Sequence, residues 1–232
     1  MNLHVGTSGY SYKEWKGTFY PQKLPAKQML RYYGEHFRAV EINQTFRHMP
    51  EAPVVEAWAG EVPGDFRFVI KAPGQITHKQ RLKDAGEPVS RLLEAAGVLK
   101  ERLGPLFFQL PPYFKKDAPR LREFLALLPS QFPAAFEFRH PSWFDDEVFG
   151  LLRDHQAALC VAEAEDGPKV PLVATAGWGY LRLRGADYGD AELKAWVRKI
   201  RGQNWRDVYV FFKHEDTGTG PRLAKRFLEL AA

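Results

Sequence analysis

Phe136-Glu137-Phe138-Arg139 alternates a large apolar side chain with a charged one at every step. Successive side chains of a strand point to opposite faces, so this segment presents one apolar face and one charged face. The same phase recurs along the chain. Val40 and Ile42 alternate with Glu41 and Asn43, Phe68 and Ile70 lead to Lys71, and Leu181 and Leu183 alternate with Arg182 and Arg184. A further apolar run ends Phe211-Phe212-Lys213-His214-Glu215-Asp216.

These segments belong to a longer series. Strands are predicted at Leu3–Thr7, Ala39–Asn43, Phe66–Lys71, Leu106–Leu110, Ala135–Arg139, Ala158–Glu163, Tyr180–Arg184 and Val208–Lys213. Amphipathic stretches separate them. Ala26–Phe37 places Met29, Tyr33 and Phe37 four apart, and Pro88–Leu103 carries Val89, Leu92, Leu93, Ala96 and Leu99 at helical period. Leu121–Leu128 stops before Pro129, Asp190 is placed to cap Ala191–Arg201, and Gly220-Pro221 opens Arg222–Leu230. Ser142 reads as an N-cap with Asp145 and Asp146 in the turn behind it.

Eight β–α alternations point to a parallel sheet, and their spacing suits a closed barrel. No Gly-x-Gly-x-x-Gly turn follows any strand, which argues against an open doubly wound sheet. The expected fold is therefore α/β, a single TIM-type (β/α)₈ barrel over residues 1–232. In such a barrel the apolar face must meet the surrounding helices. The charged face then points inward near the carboxyl ends of the strands, where charges must pair or meet solvent and ligand.

Bulk composition is consistent with this and excludes other classes. No apolar run approaches the roughly 20 residues that span a bilayer, so no membrane partner is expected. Met1-Asn2-Leu3-His4 lacks a basic start and apolar stretch, and Cys160 is the only cysteine. Both point to a reducing, cytoplasmic setting. Net charge is +5, which permits an acidic ligand without demanding one.

The inward charges define the candidate site. Glu41, Glu137 and Glu215 stand against Lys71, Arg139, Arg182, Arg184 and Lys213, leaving a net positive charge of two. That balance favours a small anion, a phosphate or carboxylate. Gly6-Thr7-Ser8-Gly9 follows the first strand and offers main-chain amides. Thr217-Gly218-Thr219-Gly220 lies between the eighth strand and a helix, a usual phosphate position in this fold. Glu41 and Glu137 are candidate acid/base residues, as in glycoside hydrolysis, and His140 sits at a strand end beside them. His78, His140 and His214 lie near Glu41, Glu137 and Asp216, but no His-x-x-x-His or His-Glu-x-x-His spacing occurs, so no metal site is expected. Tyr10, Tyr12, Trp15, Phe46, Tyr113, Trp143 and Tyr188 gather near the same rim. Together with the mild basicity, they point to nucleic acid as an alternative partner.

With these motifs in view, the chain resembles the domain-of-unknown-function 72 family, also called YecE-like. The residues that carry the likeness include Gly6-Thr7-Ser8-Gly9-Tyr10, Val40-Glu41-Ile42-Asn43-Gln44-Thr45-Phe46 and Lys71-Ala72-Pro73 with Ile76-Thr77-His78. Phe108-Gln109-Leu110-Pro111-Pro112, Glu137-Phe138-Arg139-His140-Pro141-Ser142-Trp143 and Arg182-Leu183-Arg184-Gly185 complete it. The resemblance implies a TIM-type barrel and assigns no activity, cofactor or oligomeric state. Many relatives resemble one another in an Asn-Asn pair at the eighth strand, where this chain has Lys213-His214-Glu215-Asp216. Relatives also tend to His-Gly where this chain has Arg184-Gly185.

The expectation is an enzyme, a hydrolase or other acid/base catalyst, acting on a phosphorylated sugar or nucleotide. Glu41, Glu137 and His140 are the expected catalytic residues. Ser8, Tyr10, Asn43, Lys71, His78, Gln109, Arg139, Trp143, Arg182, Arg184, Lys213 and Asp216 are the expected ligand-binding residues.

Overall fold

The structure is a computed structural model that describes residues 1–163, 167–185 and 188–232. Its strands are β1 (Asn2–Ser8), β2 (Ala39–Ile42), β3 (Arg67–Lys71), β4 (Leu103–Gln109), β5 (Ala134–Glu137), β6 (Ala158–Glu163), β7 (Trp178–Leu183) and β8 (Asp207–Phe212). Each pairs in parallel with its sequence neighbour, and β8 returns to β1 to close the barrel. Among the described residues the α-helices are α1 (Met29–His36), α2 (Ala52–Gly60), α3 (Gly86–Gly97), α4 (Ala118–Leu125), α5 (Asp146–Asp154), α6 (Asp190–Arg201) and α7 (Thr219–Ala231).

The alternation of side chains divides the core in two. Val40, Ile42, Phe68, Ile70, Phe108, Phe136, Leu181 and Leu183 belong to the large cluster shared with the helices. Ala39, Val69, Phe107, Ala135, Ala158, Cys160, Tyr180, Tyr209 and Phe211 form a separate cluster inside the barrel. This is the two-faced packing that the sequence phase dictates. Near the amino ends of the strands, His4 stacks on Tyr209 at 4.6 Å. Further along, Phe107 and Tyr180 stack at 5.1 Å with their planes 8° apart. Cys160 is fully buried here, and burial pushes its thiol well above the ordinary value.

The start of the barrel depends on a missing side chain. A Cβ on Gly6 would lie 2.0 Å from the Ala39 carbonyl oxygen, so only glycine lets β1 approach β2 this closely. Tyr33, from α1, locks the same junction: its hydroxyl accepts from the Thr7 amide at 2.8 Å and donates to the Ala39 carbonyl at 3.0 Å.

Several expectations are corrected. The alternation is not a full eightfold one among the described residues, because the β6–β7 connection has no helix over 167–177. Thr175 fastens that connection instead, accepting from the Leu159 amide at 2.8 Å and donating to the Ala157 carbonyl at 2.7 Å. Helix α2 carried no clear sequence signal, since its nine residues bury only Val55. The cap of α5 is Asp145, which accepts from the Val148 amide at 3.0 Å. Ser142 lies one turn earlier, in a short 3₁₀ segment, Pro141–Trp143.

Candidate functional site

Arg182 on β7 is the centre of the charged face, with 1% of its side chain exposed. Its guanidinium reaches across the barrel to two carboxylates that are fully buried. One terminal nitrogen donates to Glu137 Oε2 at 2.7 Å; the other donates to Glu41 Oε1 at 2.9 Å and to Ser8 Oγ at 3.0 Å. The guanidinium rests on the Phe107 ring, 4.8 Å from its centroid. The aromatic stack inside the barrel is thus the floor of a polar site.

Each carboxylate has further partners. Glu41 accepts from the Tyr180 hydroxyl at 2.5 Å and from Ser8 Oγ, which itself accepts from the Asn43 amide at 2.8 Å. Glu137 accepts from Gln109 Nε2 at 2.8 Å and from Arg184 at 3.4 Å, and Arg139 lies 3.9 Å away. Burial by itself would raise the Glu137 carboxyl. The charges of Arg182 and Arg184, with the bonds from Arg182 and Gln109, overcome it and hold the group down at about 2. The two carboxylates hold Arg182 well above its ordinary value despite its burial.

Lys71, at the end of β3, differs from the other cations. Arg182, Arg184, Arg139 and Lys213 each have a carboxylate within 4.0 Å; among the described residues Lys71 has none. Its Nζ donates instead to Gln109 Oε1 at 2.9 Å and lies 4.5 Å from the centroid of Phe46. Burial and the charge of Arg182 lower it to about 8, against the pull of Glu41 and Glu137. His78 follows in a single wide turn, Gln75–Lys79, its ring edge-on to Phe46 at 4.9 Å. Burial lowers its imidazole, and Lys71 and Arg139 add to the effect. A wide turn of this kind often marks a functional segment. Just beyond it, Arg81 and Leu82 hold φ of 51° and 68°, left-handed values that cost non-glycine residues roughly 1–2 kcal/mol each.

Lys213 extends from the end of β8 to within 3.8 Å of Glu215, and burial lowers its ammonium, with Arg182 contributing. Glu215 in turn lines an open cavity of about 530 Å³ with Tyr10, Tyr12, Asn43, Arg47 and His48. Four buried polar atoms at this end have no partner among the described residues: Asn43 Oδ1, Arg182 Nε, Arg184 Nε and His214 Nδ1. Buried polar groups are ordinarily paired, so this end of the barrel holds unspent hydrogen-bonding capacity.

The structure therefore gathers Ser8, Glu41, Asn43, Lys71, His78, Gln109, Glu137, Arg139, Arg182, Arg184 and Lys213 at the carboxyl ends of the strands. Tyr10 joins them as a wall of the neighbouring cavity. Three expected residues do other things. Trp143 is fully buried, stacks on Phe138 at 4.7 Å and donates its indole N–H to the Phe114 carbonyl at 2.7 Å, so a ligand cannot reach it. His140 uses Nδ1 to accept from the Ser142 amide at 3.2 Å, which caps the turn before α5. Asp216 is exposed on the loop after β8. The Thr217-Gly218-Thr219 turn lines a different cavity, of about 670 Å³, with Thr18, His36, Arg222 and Lys225. That cavity lies between α1 and α7, on the helical side of the barrel. Of the rim aromatics, Trp15, Trp143 and Tyr188 are buried and Tyr113 is exposed.

Sequence reasoning missed Tyr180 and Phe107, and named Phe46 only as one of the rim aromatics. Tyr180 was within reach of the phase argument, because it lies two residues before Arg182 on the same strand face. Among the described residues no group of three His, Cys, Asp or Glu is placed to hold a metal, and no helix is long and apolar enough to cross a membrane.

Comparison with known proteins gives one consistent result. The family described as "Protein of unknown function DUF72" matches residues 4–232. UPF0759 protein YecE of Escherichia coli is 29% identical over 98% of this chain and 92% of its own. UPF0759 protein YunF of Bacillus subtilis is 25% identical over 91% of this chain and 78% of its own. Among solved structures, a DUF72 family protein from Thermotoga maritima superposes with a TM-score of 0.85 at 28% identity, covering 99% of both chains. One from Enterococcus faecalis, 19% identical, gives 0.83 over 99% of this chain and 95% of its own, a likeness of fold.

Proposed function

The chain belongs to the DUF72 family, whose description names no activity, and from the geometry of its barrel mouth we propose that it is an enzyme binding a small anionic substrate there, a phosphorylated sugar or a nucleotide. The observation that carries this reading is the cluster of part-exposed cations at the carboxyl ends of the strands, Lys71, Arg139, Arg184 and Lys213. Among the described residues Arg182 and Arg184 are balanced by Glu41 and Glu137, and Lys213 by Glu215, which leaves Lys71 and Arg139 above a neutral base. Cationic donors in a partly dehydrated site bind phosphate and carboxylate by charge-assisted hydrogen bonds.

The carboxylates take a different part from the acid/base one their sequence positions pointed to. Glu137, held at about 2, has no proton to give near neutrality. Glu41 already receives bonds from Ser8, Tyr180 and Arg182 and is fully buried. Both act as fixed counter-charges. Proton transfer falls to Lys71 and His78, whose surroundings move them toward neutrality.

The test is thermal stabilisation by inorganic phosphate, glucose 6-phosphate, adenosine monophosphate and citrate at low ionic strength. A bound ligand at a hundredfold excess over its Kd adds about 2.7 kcal/mol of stability. The expected result is a rise with phosphate-bearing compounds that is lost in Arg184→Met and Lys213→Met. No rise with any of them overturns the reading. A rise confined to a short oligonucleotide, falling steeply with salt, would replace it with the nucleic-acid alternative. The burial of Trp15, Trp143 and Tyr188 favours that alternative less.

A further inference from the structure

We propose that Lys71 is a nucleophile that forms an imine with the carbonyl carbon of an anionic aldehyde or ketone bound at the barrel mouth, a deepening of the anionic-substrate reading on which it rests. Three arrangements support it. First, among the described residues Lys71 is the mouth cation with no carboxylate within 4.0 Å, so none of their carboxylates pairs with it to hold the ammonium form. Second, Gln109 has its orientation fixed from the other side: its amide N–H donates to Glu137 at 2.8 Å, so its carbonyl oxygen must face Lys71. A neutral amine spends one N–H on that oxygen and keeps its lone pair. Third, Lys71 is only partly buried and feels the charge of Lys213, a cation that would hold the substrate's anionic group.

The groups around Nζ come from every neighbouring strand end. Arg182 and Lys213 disfavour the ammonium; Glu41 and Glu137 favour it but are engaged by arginine, hydroxyl and amide donors. The Phe46 face also favours the cation. Burial and the neighbouring cations win, and the amine sits at about 8. Desolvation and cationic neighbours are the two ways in which a lysine becomes a nucleophile near neutral pH.

The step balances without an oxidant or reductant. The amine lone pair attacks the carbonyl carbon, the C–N bond forms, and the carbonyl π pair moves to oxygen, which takes a proton. Loss of water then breaks the C–O bond and leaves the imine, the two amine protons departing with the oxygen. His78, held toward its neutral form beside Lys71, is the imidazole placed to carry protons between these stages.

The experiment traps the imine. The purified protein is incubated separately with dihydroxyacetone phosphate, pyruvate and acetaldehyde in the presence of cyanoborohydride, then analysed by intact mass and peptide mapping. The expected result is a single reduced adduct per chain on Lys71 with the two anionic carbonyls, absent in Lys71→Arg, whose guanidinium is not nucleophilic. Peptide mapping of the unaltered protein locates the adduct even if that variant folds poorly. In a parallel acylation series, Lys71 should reach half-maximal reactivity near pH 8, while surface lysines do so near 10.4. At pH 8 this is a difference on the order of 100-fold in neutral amine. No adduct on Lys71 with any probe, or adducts spread evenly over surface lysines, overturns the proposal. If phosphate still stabilises the protein in that case, the anionic-substrate reading survives alone. Labelling of Lys71 by acetaldehyde as efficiently as by the anionic probes leaves the nucleophile and removes the anion preference.

Discussion

Replacing Arg182 by methionine tests whether the charges inside the barrel are a connected unit. Arg182→Met keeps an unbranched apolar stem and removes the guanidinium with its three donated bonds, to Glu137 at 2.7 Å, Glu41 at 2.9 Å and Ser8 at 3.0 Å. Glu41 would retain Tyr180 and Ser8, and Glu137 would retain Gln109 and the longer bond from Arg184. Glu137 would then keep Arg184 and Arg139 within 4.0 Å, while the fully buried Glu41 would have no cation that close among the described residues. Breaking a buried ion pair from one side costs about 3–5 kcal/mol. The bonds that remain place this case near 4 kcal/mol, roughly a thousandfold in the folding equilibrium. At about 2–4 °C per kcal/mol for a chain of this size, the thermal midpoint should fall by roughly 8–16 °C. The assay is urea unfolding at pH 7, read as a lower midpoint at unchanged slope. The deficit should narrow on acidification, because carboxylates deprived of Arg182 protonate at higher pH in the folded state than in the unfolded one. A deficit below about 1 kcal/mol, or one equal at pH 4.5 and pH 7, would refute the account of a mutually dependent triad.

Other consequences are simpler to check. Glu137 has a folded value of about 2 against an ordinary 4.5, so it contributes about 3 kcal/mol that is fully present above pH 4.5 and drains as pH falls toward 2. Glu137→Gln should therefore flatten the acid limb of the stability profile, seen by urea unfolding from pH 7 to pH 3. Lys71 has the opposite consequence at the alkaline end: its lowered value means the unfolded chain binds more protons between pH 8 and 10.5, so wild-type stability relative to Lys71→Met should rise across that window. Cys160 should resist a soluble disulfide reagent in the native protein and react fully once unfolded, because its thiol is buried and pushed up. Gly6→Ala should cost at least about 2 kcal/mol, since the new methyl meets backbone rather than a movable side chain; a loss under half of that would mean β1 and β2 part easily.

The barrel was legible because alternation is a statement about faces. Glu41, Glu137 and Arg182 had to lie inside once Val40, Phe136 and Leu181 were given to the helices, and they do. Strand ends and helix starts were less legible because they depend on partners distant in sequence. Trp143 reads as a rim aromatic from its place after β5, yet its fate is settled by the Phe114 carbonyl, 29 residues away. His140 is similar, since a histidine at a strand end reads as chemistry until the Ser142 amide is seen to need a cap. Thr217-Gly218-Thr219 follows a strand and opens a helix, but whether it faces the barrel axis or the helical layer is a matter of chain direction that composition does not encode. The distinctive state of Lys71 was the least visible of all. It depends on which cation lacks a carboxylate among the described residues, and sequence supplies the charges without the pairing.

A buried Arg182 flanked by two glutamates is a poor way to gain stability, because well-packed apolar groups of the same volume usually do as well or better. Its presence over the Phe107 ring asks for another reason, and the bonding pattern supplies one. Glu137 is fixed by Arg182 and in turn fixes the amide of Gln109, which then has only its carbonyl to offer Lys71. Glu41 is fixed by Arg182 and Tyr180 and accepts the Ser8 hydroxyl, which in turn takes the Asn43 amide and leaves Asn43 Oδ1 without a partner among the described residues. Orientation therefore runs outward from one guanidinium along two branches, and each ends in a group with unspent bonding capacity. A network retained only to close the barrel would end in saturated groups. Among the described residues this one ends in an amine with no carboxylate partner on one side and an unpartnered amide oxygen on the other, as a site that must hold its contacts in place before a ligand arrives would require.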